Sequence, residues 1–255
     1  MTTANTIPLT WNTFFQQVTN MMVVQTTTTG GVVVGVDPET NTLMPQACQY
    51  AELRIQRDMD LLASKTSRAY TLTSGVNQLA LSANDFVTVE TFLVNTGMAT
   101  TTLTPVSVEL IQNVWATATG VPVYYAMYGG DLATGGNTSN YVLLGPTPDS
   151  NYVATVTGTI RQPSLYGFAN PTFAATGTTF ISTNYPDMLI QAAMIYVAEY
   201  QRNFGAVSND PQMPGIYEQQ YQTLLSAAKP ESSRAKLEAS AWSSKSQPVN
   251  ATPGR

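Results

Sequence analysis

Few residues in this chain have the type and spacing that chemistry requires. Asp58 and Asp60 form the one tempting carboxylate pair, of the kind that exchanges protons or holds a cation. Two positions apart on a helix, they point in different directions, so the spacing predicts a solvated face rather than a shared ligand. Cys48 is the single cysteine; it has no internal disulfide partner, belongs to no CxxC motif and reads as a space-filling residue. The chain has no histidine. That removes the Ser/His and Cys/His nucleophile systems and the histidine zinc sites together. Gly129-Gly130 and Gly135-Gly136 lack the Lys-Ser/Thr that completes a phosphate loop and read as turn glycines. The thirteen tyrosines read as packing residues of cores and interfaces. The residues therefore predict a protein that is not an enzyme and has no cofactor or metal site.

Charge is the most informative count. Only 11% of the 255 residues are charged, and Thr, Asn, Gln and Ser fill the surface instead, which suits a subunit packed against copies of itself. Residues 1–228 hold six basic and fourteen acidic side chains, a balance of −8, whereas residues 229–255 hold five basic and two acidic ones, a balance of +3. An acidic body thus carries a basic tail with one large aromatic, Trp242. Two readings of the tail stay open: a segment that orders on a partner with Trp242 as anchor, and a solubilising terminus. Basic residues around an aromatic also suit nucleic acid, but the tail is sparsely charged for that role.

No stretch reaches the length of apolar sequence that spans a bilayer, and Met1 to Thr10 lacks the basic start and apolar run of a signal peptide. The expectation is a protein assembled in cytoplasm, with no membrane partner.

The elements that must position these residues follow from periodicity. A short amphipathic helix starts after Thr10, a fitting N-cap, and carries Trp11, Phe14, Phe15, Val18 and Met22. Thr26 to Val36 and the turn-forming Asp37-Pro38 read as a loop or β-ribbon extension. Gln46 to Ala63 is helical, with Cys48, Ala51, Ile55, Met59 and Leu62 on one stripe. The period then changes to two, with strands expected at 68–73, 76–81, 86–94, 123–128, 141–145 and 152–160, a helix at 106–118 and a Gly-rich loop at 129–140. Helix returns at Pro186 and runs to about Asn203, apolar almost all round; a last helix begins near Pro214 with Tyr217, Tyr221, Leu224 and Ala228 on one side. The fold class expected is α+β, a helical bundle layer with an inserted, mostly antiparallel β-sheet or sandwich and an extended C-terminal tail. Its divisions are N-terminal helices and ribbon at 1–66, a β-rich insertion at 67–182, C-terminal helices at 183–228 and the tail at 229–255.

Several strings in this order resemble the head-to-tail adaptor, or head-completion, proteins of tailed bacteriophages. They are Gln49-Tyr50-Ala51-Glu52-Leu53-Arg54-Ile55-Gln56-Arg57-Asp58-Met59, then Leu81-Ser82-Ala83-Asn84-Asp85-Phe86, then Pro122-Val123-Tyr124-Tyr125-Ala126 followed by Leu143-Leu144-Gly145-Pro146-Thr147-Pro148-Asp149. The fourth is Thr183-Asn184-Tyr185-Pro186-Asp187-Met188-Leu189, with Tyr217, Tyr221 and Leu224 on the closing helix. Together they span roughly 46–226; the stretches 26–44, 129–140 and 163–182 are longer than the family pattern.

The resemblance implies a structural virion protein at the head-tail junction. It implies a homo-oligomeric ring, commonly of twelve subunits, docked between the portal protein and the tail or nozzle, with genomic DNA passing through the bore without specific binding. It further implies that the C-terminal extension reaches the portal, through Arg234, Lys236, Leu237, Trp242 and Lys245. Glu52, Arg54, Arg57, Tyr185, Pro186, Tyr196, Tyr200, Tyr217 and Tyr221 are expected in the core helices or between subunits, the charged ones in ion pairs. The acidic body has two readings, a channel wall that repels phosphate and a surface kept for solubility. The rival reading of the whole chain is a carbohydrate- or receptor-binding module of the tail, using the Thr-rich sheet face with Tyr124, Tyr125 and Tyr128.

Overall fold

Thr10 caps the first helix reciprocally: the Thr13 amide donates to the Thr10 hydroxyl and the Thr10 amide to the Thr13 hydroxyl. In the computed structural model, residues 9–81, 86–129, 140–168, 177–204 and 213–239 are described. They form an α+β protein that divides into two units, residues 1–62 with 162–255, and residues 63–161.

The first unit is helical. Helix α1 (Trp11–Met22) buries Trp11, Phe14, Phe15 and Val18. Strands β1 (Thr26–Thr29) and β2 (Val32–Gly35) form an antiparallel hairpin across Gly30-Gly31. Both turn glycines have positive φ, 59° and 81°, the conformation a two-residue hairpin turn demands and side chains resist. The outer edge of β2 is tied down by two asparagines. Asn12 donates to the Gly31 carbonyl (2.8 Å) and accepts from the Val33 amide (2.9 Å), while Asn41 accepts from the Gly35 amide (2.8 Å) and donates to its carbonyl (3.0 Å).

Helix α2 (Pro38–Asp58) starts eight residues before the expected Gln46. Asp37-Pro38 is an N-cap followed by proline at the first helical position, so the dipeptide opens a helix rather than a turn. The helix also stops earlier than expected, at Met59, whose extended backbone ends the ladder. Helix α3 (Val108–Val114) lies in the second unit. Helices α4 (Phe180–Asn184), α5 (Pro186–Phe204) and α6 (Met213–Ala239) complete the first. One core joins them: Met44, Cys48, Ala51 and Ile55 of α2, Met188, Leu189, Ala192, Ala193 and Val197 of α5, Tyr221 and Leu225 of α6. Burying each large side chain contributes on the order of 1.5–3 kcal/mol, which is why the nearly all-apolar α5 sits between α2 and α6.

Two expected boundaries need correction. The stretch 163–182, expected in the β-rich insertion, instead contributes Leu165 and Ile181, both fully buried, to the helical core. The extended tail was expected from 229, yet α6 runs through Pro230 to Ala239. Ser232 is buried there and donates to the Asp60 carbonyl (2.6 Å), and Lys236 is ion-paired with Asp60. Partners on the preceding chain hold this helix past a proline that, read locally, marks its end.

The second unit is a β-sandwich. One sheet has the order β3 (Lys65–Leu72), β12 (Tyr152–Thr159), β5 (Thr88–Asn95), β6 (Thr100–Thr102), all antiparallel. The other has the order β4 (Gln78–Leu81), β10 (Asn140–Gly145), β9 (Tyr124–Tyr128), β7 (Thr104–Pro105), with β7 parallel to β9. Strands β8 (Thr119–Gly120) and β11 (Thr147–Pro148) form a small parallel pair. Leu72, Phe92, Val94, Ala154 and Val156 of the first sheet meet Leu81, Tyr125, Val142 and Leu144 of the second. Ile111 of α3 covers Ala126 and Leu143 on the far side of the second sheet. The expected helix at 106–118 is shorter, starting at its cap Ser107. Beside Gly158 the register slips by one residue, and a Cβ at that glycine would stand 2.1 Å from the Thr88 carbonyl oxygen. The Leu81–Phe86 string has its centre, 82–85, outside the described residues, as does 130–139 of the Gly-rich loop.

Candidate functional site

The charged string on α2 divides by direction. Arg54 reaches α6, where its guanidinium donates to Glu218 Oε1 (2.6 Å) and lies 4.4 Å from the centre of the Tyr221 ring. It also approaches Asp58 at 3.7 Å, and the Tyr221 hydroxyl donates to Asp58 Oδ2 (2.7 Å). The Arg54 hydrogen bond holds the Glu218 carboxyl below its usual range, while burial first, and Asp58 second, push the Tyr221 phenol up. An isolated surface pair contributes up to about 1 kcal/mol. Here one guanidinium serves two carboxylates and a ring, so its loss removes a shared partner from three groups at once. Arg57 instead donates back to the Leu53 carbonyl (3.1 Å) on the exposed side of α2. Asp58 and Asp60 diverge, one taking Tyr221 and the other Lys236.

Glu52 is not a surface ion pair. It is 2% exposed, accepts from the Leu165 amide through Oε1 (2.8 Å) and leaves Oε2 without a hydrogen-bond partner. Burial raises its carboxyl from 4.5 to about 7, against the opposing pull of the Ser164 hydroxyl and the Leu165 amide. One turn before it, Cys48 is buried too, and burial first, then the Glu52 charge, push its thiol well up. A raised thiol pKa makes a poor nucleophile, and the pair reads as core.

The tyrosines expected at packing positions separate into two groups. Tyr185 and Tyr221 are buried, and Pro186 begins α5. Burial raises the Tyr185 phenol, with the Glu231 charge adding to it. Tyr217 packs half-buried against the helical core. Tyr196 and Tyr200 instead line a groove of about 250 Å³ between α2 and α5, facing Leu43, Gln46 and Tyr50. The Tyr50 and Tyr196 rings lie 5.4 Å apart. Glu199 lines the same groove, and Glu39 lines an adjoining cavity of about 210 Å³ that shares Leu43, Gln46 and Tyr200 with it. The Tyr200 phenol is raised, first by desolvation and then by the charge and hydrogen bond of Glu39. Tyr50 was legible as part of the α2 string, but nothing in the sequence places it against Tyr196, 146 residues later.

Of the residues expected to meet a portal, Arg234 and Leu237 are exposed on α6 and Lys236 is paired with Asp60. Trp242 and Lys245 lie outside the described residues. The carbohydrate-binding reading loses its shared surface. Thr91, Thr102, Thr155 and Thr157 alternate onto the outer face of the β3-β12-β5-β6 sheet, whereas the three tyrosines belong to β9 of the other sheet. There Tyr125 is buried against Phe92, Tyr124 stacks on Trp115 and Tyr128 on Tyr141. Among the described residues no three His, Cys, Asp or Glu side chains gather as metal ligands, and no helix is long and apolar enough to cross a membrane.

A helical unit clamped by polar side chains is thus interrupted in sequence by a β-sandwich. Residues 21–249 match the family described as SU10 adaptor protein. The chain belongs to that family, a family of phage head-to-tail adaptors, and is a structural component of the virion. Among curated proteins none matches it.

Proposed function

We propose that the chain is one subunit of a closed ring, of twelve copies by analogy with the family, that joins the portal protein to the tail or nozzle and lines the DNA channel. The observation that carries this reading is the family match, which runs through both units from residue 21 to residue 249. The contribution to the virion is mechanical: positioning, sealing and transmission rather than catalysis. Portal contact falls to Arg234 and Leu237 on α6 and to the segment beyond Ala239, with Lys236 already engaged to Asp60. The acid excess of residues 1–228, fourteen against six, supports a bore that repels phosphate so that DNA slides without adhering.

Negative-stain imaging of the purified chain, alone and mixed with its portal, tests the ring and the junction together. Rings or portal-bound density are expected, and a monomer that ignores the portal would overturn the reading. DNA binding at low salt tests the bore separately; tight non-specific binding by the assembled ring would sink it.

A further inference from the structure

The groove between α2 and α5 is aromatic on its walls and acidic at its rim. Tyr50, half exposed, and Tyr196 present rings toward it, and Glu199 and Glu39 are the charged side chains that line it and its neighbouring cavity. Such a site suits a large aromatic side chain with a cation close by in sequence, because the ring fills the apolar floor while the ammonium meets the carboxylates. One segment of this chain has that composition. Residues 240–245 read Ser-Ala-Trp-Ser-Ser-Lys, with no acidic residue from 240 to 255.

Helix α6 meets α2 at the end remote from the groove. Glu218 and Tyr221 sit beside Arg54 and Asp58, and Ser232 and Lys236 engage Asp60, so α6 leaves α2 at the C-terminal end of that helix. Ala47, on the groove floor, lies eleven helical residues before Asp58, a rise of roughly 16 Å. Residues 237–239 are still helical, and residues 240–242 span at most about 10 Å fully extended. That short reach, set against the direction in which α6 leaves α2, favours the groove of a neighbour over the subunit's own.

We infer that the α2–α5 groove of each subunit receives Trp242 and Lys245 of a second copy, so that neighbours in the ring are interlocked by exchanged C-terminal segments. The inference rests on the ring reading above. It takes Trp242 and Lys245 out of the portal contact proposed above and leaves that contact to Arg234, Leu237 and residues 246–255. A short segment bound this way holds weakly alone, but a closed ring makes every such contact intramolecular, which raises its effective concentration.

The test pairs Trp242→Cys with Gln46→Cys in the full-length chain, assembled with its portal and treated with a short bismaleimide cross-linker. A denaturing gel should show dimers, trimers and a ladder rising to the full ring. Native mass measurement of the unmodified assembly separates the two claims. Rings that yield only monomers, or a fast-migrating internally linked monomer, overturn the groove assignment and leave the ring standing; absence of rings overturns both. As a second measurement, Lys245→Glu should lower the ring population roughly ten-fold at fixed concentration, and adding Glu199→Lys should restore it. A ring population indifferent to Lys245→Glu and to Trp242→Ala contradicts the inference.

Discussion

The Leu165 amide donates to Glu52 Oε1 at 2.8 Å, joining residues 113 positions apart. Between them the chain traverses the whole β-sandwich, and this bond fastens the returning strand of backbone onto α2. The carboxylate that makes it is buried, with its second oxygen unpartnered, so the protein carries an ionisable group where water cannot solvate its charge.

A pH dependence follows. The folded state holds the Glu52 proton up to about pH 7, whereas the unfolded carboxyl gives it up near 4.5. Stability therefore falls as pH rises from about 4.5 to about 7 and is level above, by up to about 3 kcal/mol for this group. Glu52→Gln, which keeps an acceptor for Leu165, should remove that slope. Chemical denaturation of both proteins at pH 5 and pH 8 checks it; parallel curves would contradict the assignment.

Arg54→Ala should destabilise the helical unit by about 1–2 kcal/mol, because Glu218, Asp58 and the Tyr221 ring lose their common partner. In a double-mutant cycle with Glu218→Ala the coupling should be roughly 0.5–1 kcal/mol and fall with added salt.

Gly158→Ala should cost about 1–3 kcal/mol or more, since the added methyl meets the Thr88 carbonyl oxygen at 2.1 Å and the Phe86 ring at 2.9 Å. Limited proteolysis should show faster cleavage within residues 63–161, and a wild-type pattern would refute this account of the bulge.

Truncation separates the two parts of the expected tail. A chain ending at Ala239 keeps Ser232 and Lys236 and, measured as a monomer, should unfold like the full chain. One ending at Ala228 leaves the Asp60 carbonyl and carboxylate without these partners and should lose about 1–3 kcal/mol, measured by thermal melting.

What was legible in the sequence was what is decided locally. Thr10 and its helix, and the alternation from Tyr152 to Thr159, carry their own signals within a few residues. Asp37-Pro38 opens turns and helices equally well, and only the hairpin packed before it, with Asn41 bonded to Gly35, settles which. Pro230 reads as a stop because the support for the helix beyond it, the Asp60 carbonyl, lies 172 residues before the Ser232 that it binds. Glu52 and Arg54 look alike on α2, yet one turns into the core and the other toward Glu218, a distinction made by α5, α6 and the 164–165 backbone. Strands β6, β7, β8 and β11, two or three residues long, are too short to show any period.

The asparagine clasp on the hairpin has a stoichiometric consequence. A bare two-stranded ribbon offers two pairing edges and can grow without limit, one molecule after another, into a fibre. With the β2 side spoken for by Asn12 and Asn41, only the threonine side of β1 can take on another strand. Any such pairing ends after a single addition, so a protein made in many copies carries its own stop against polymerisation at this ribbon.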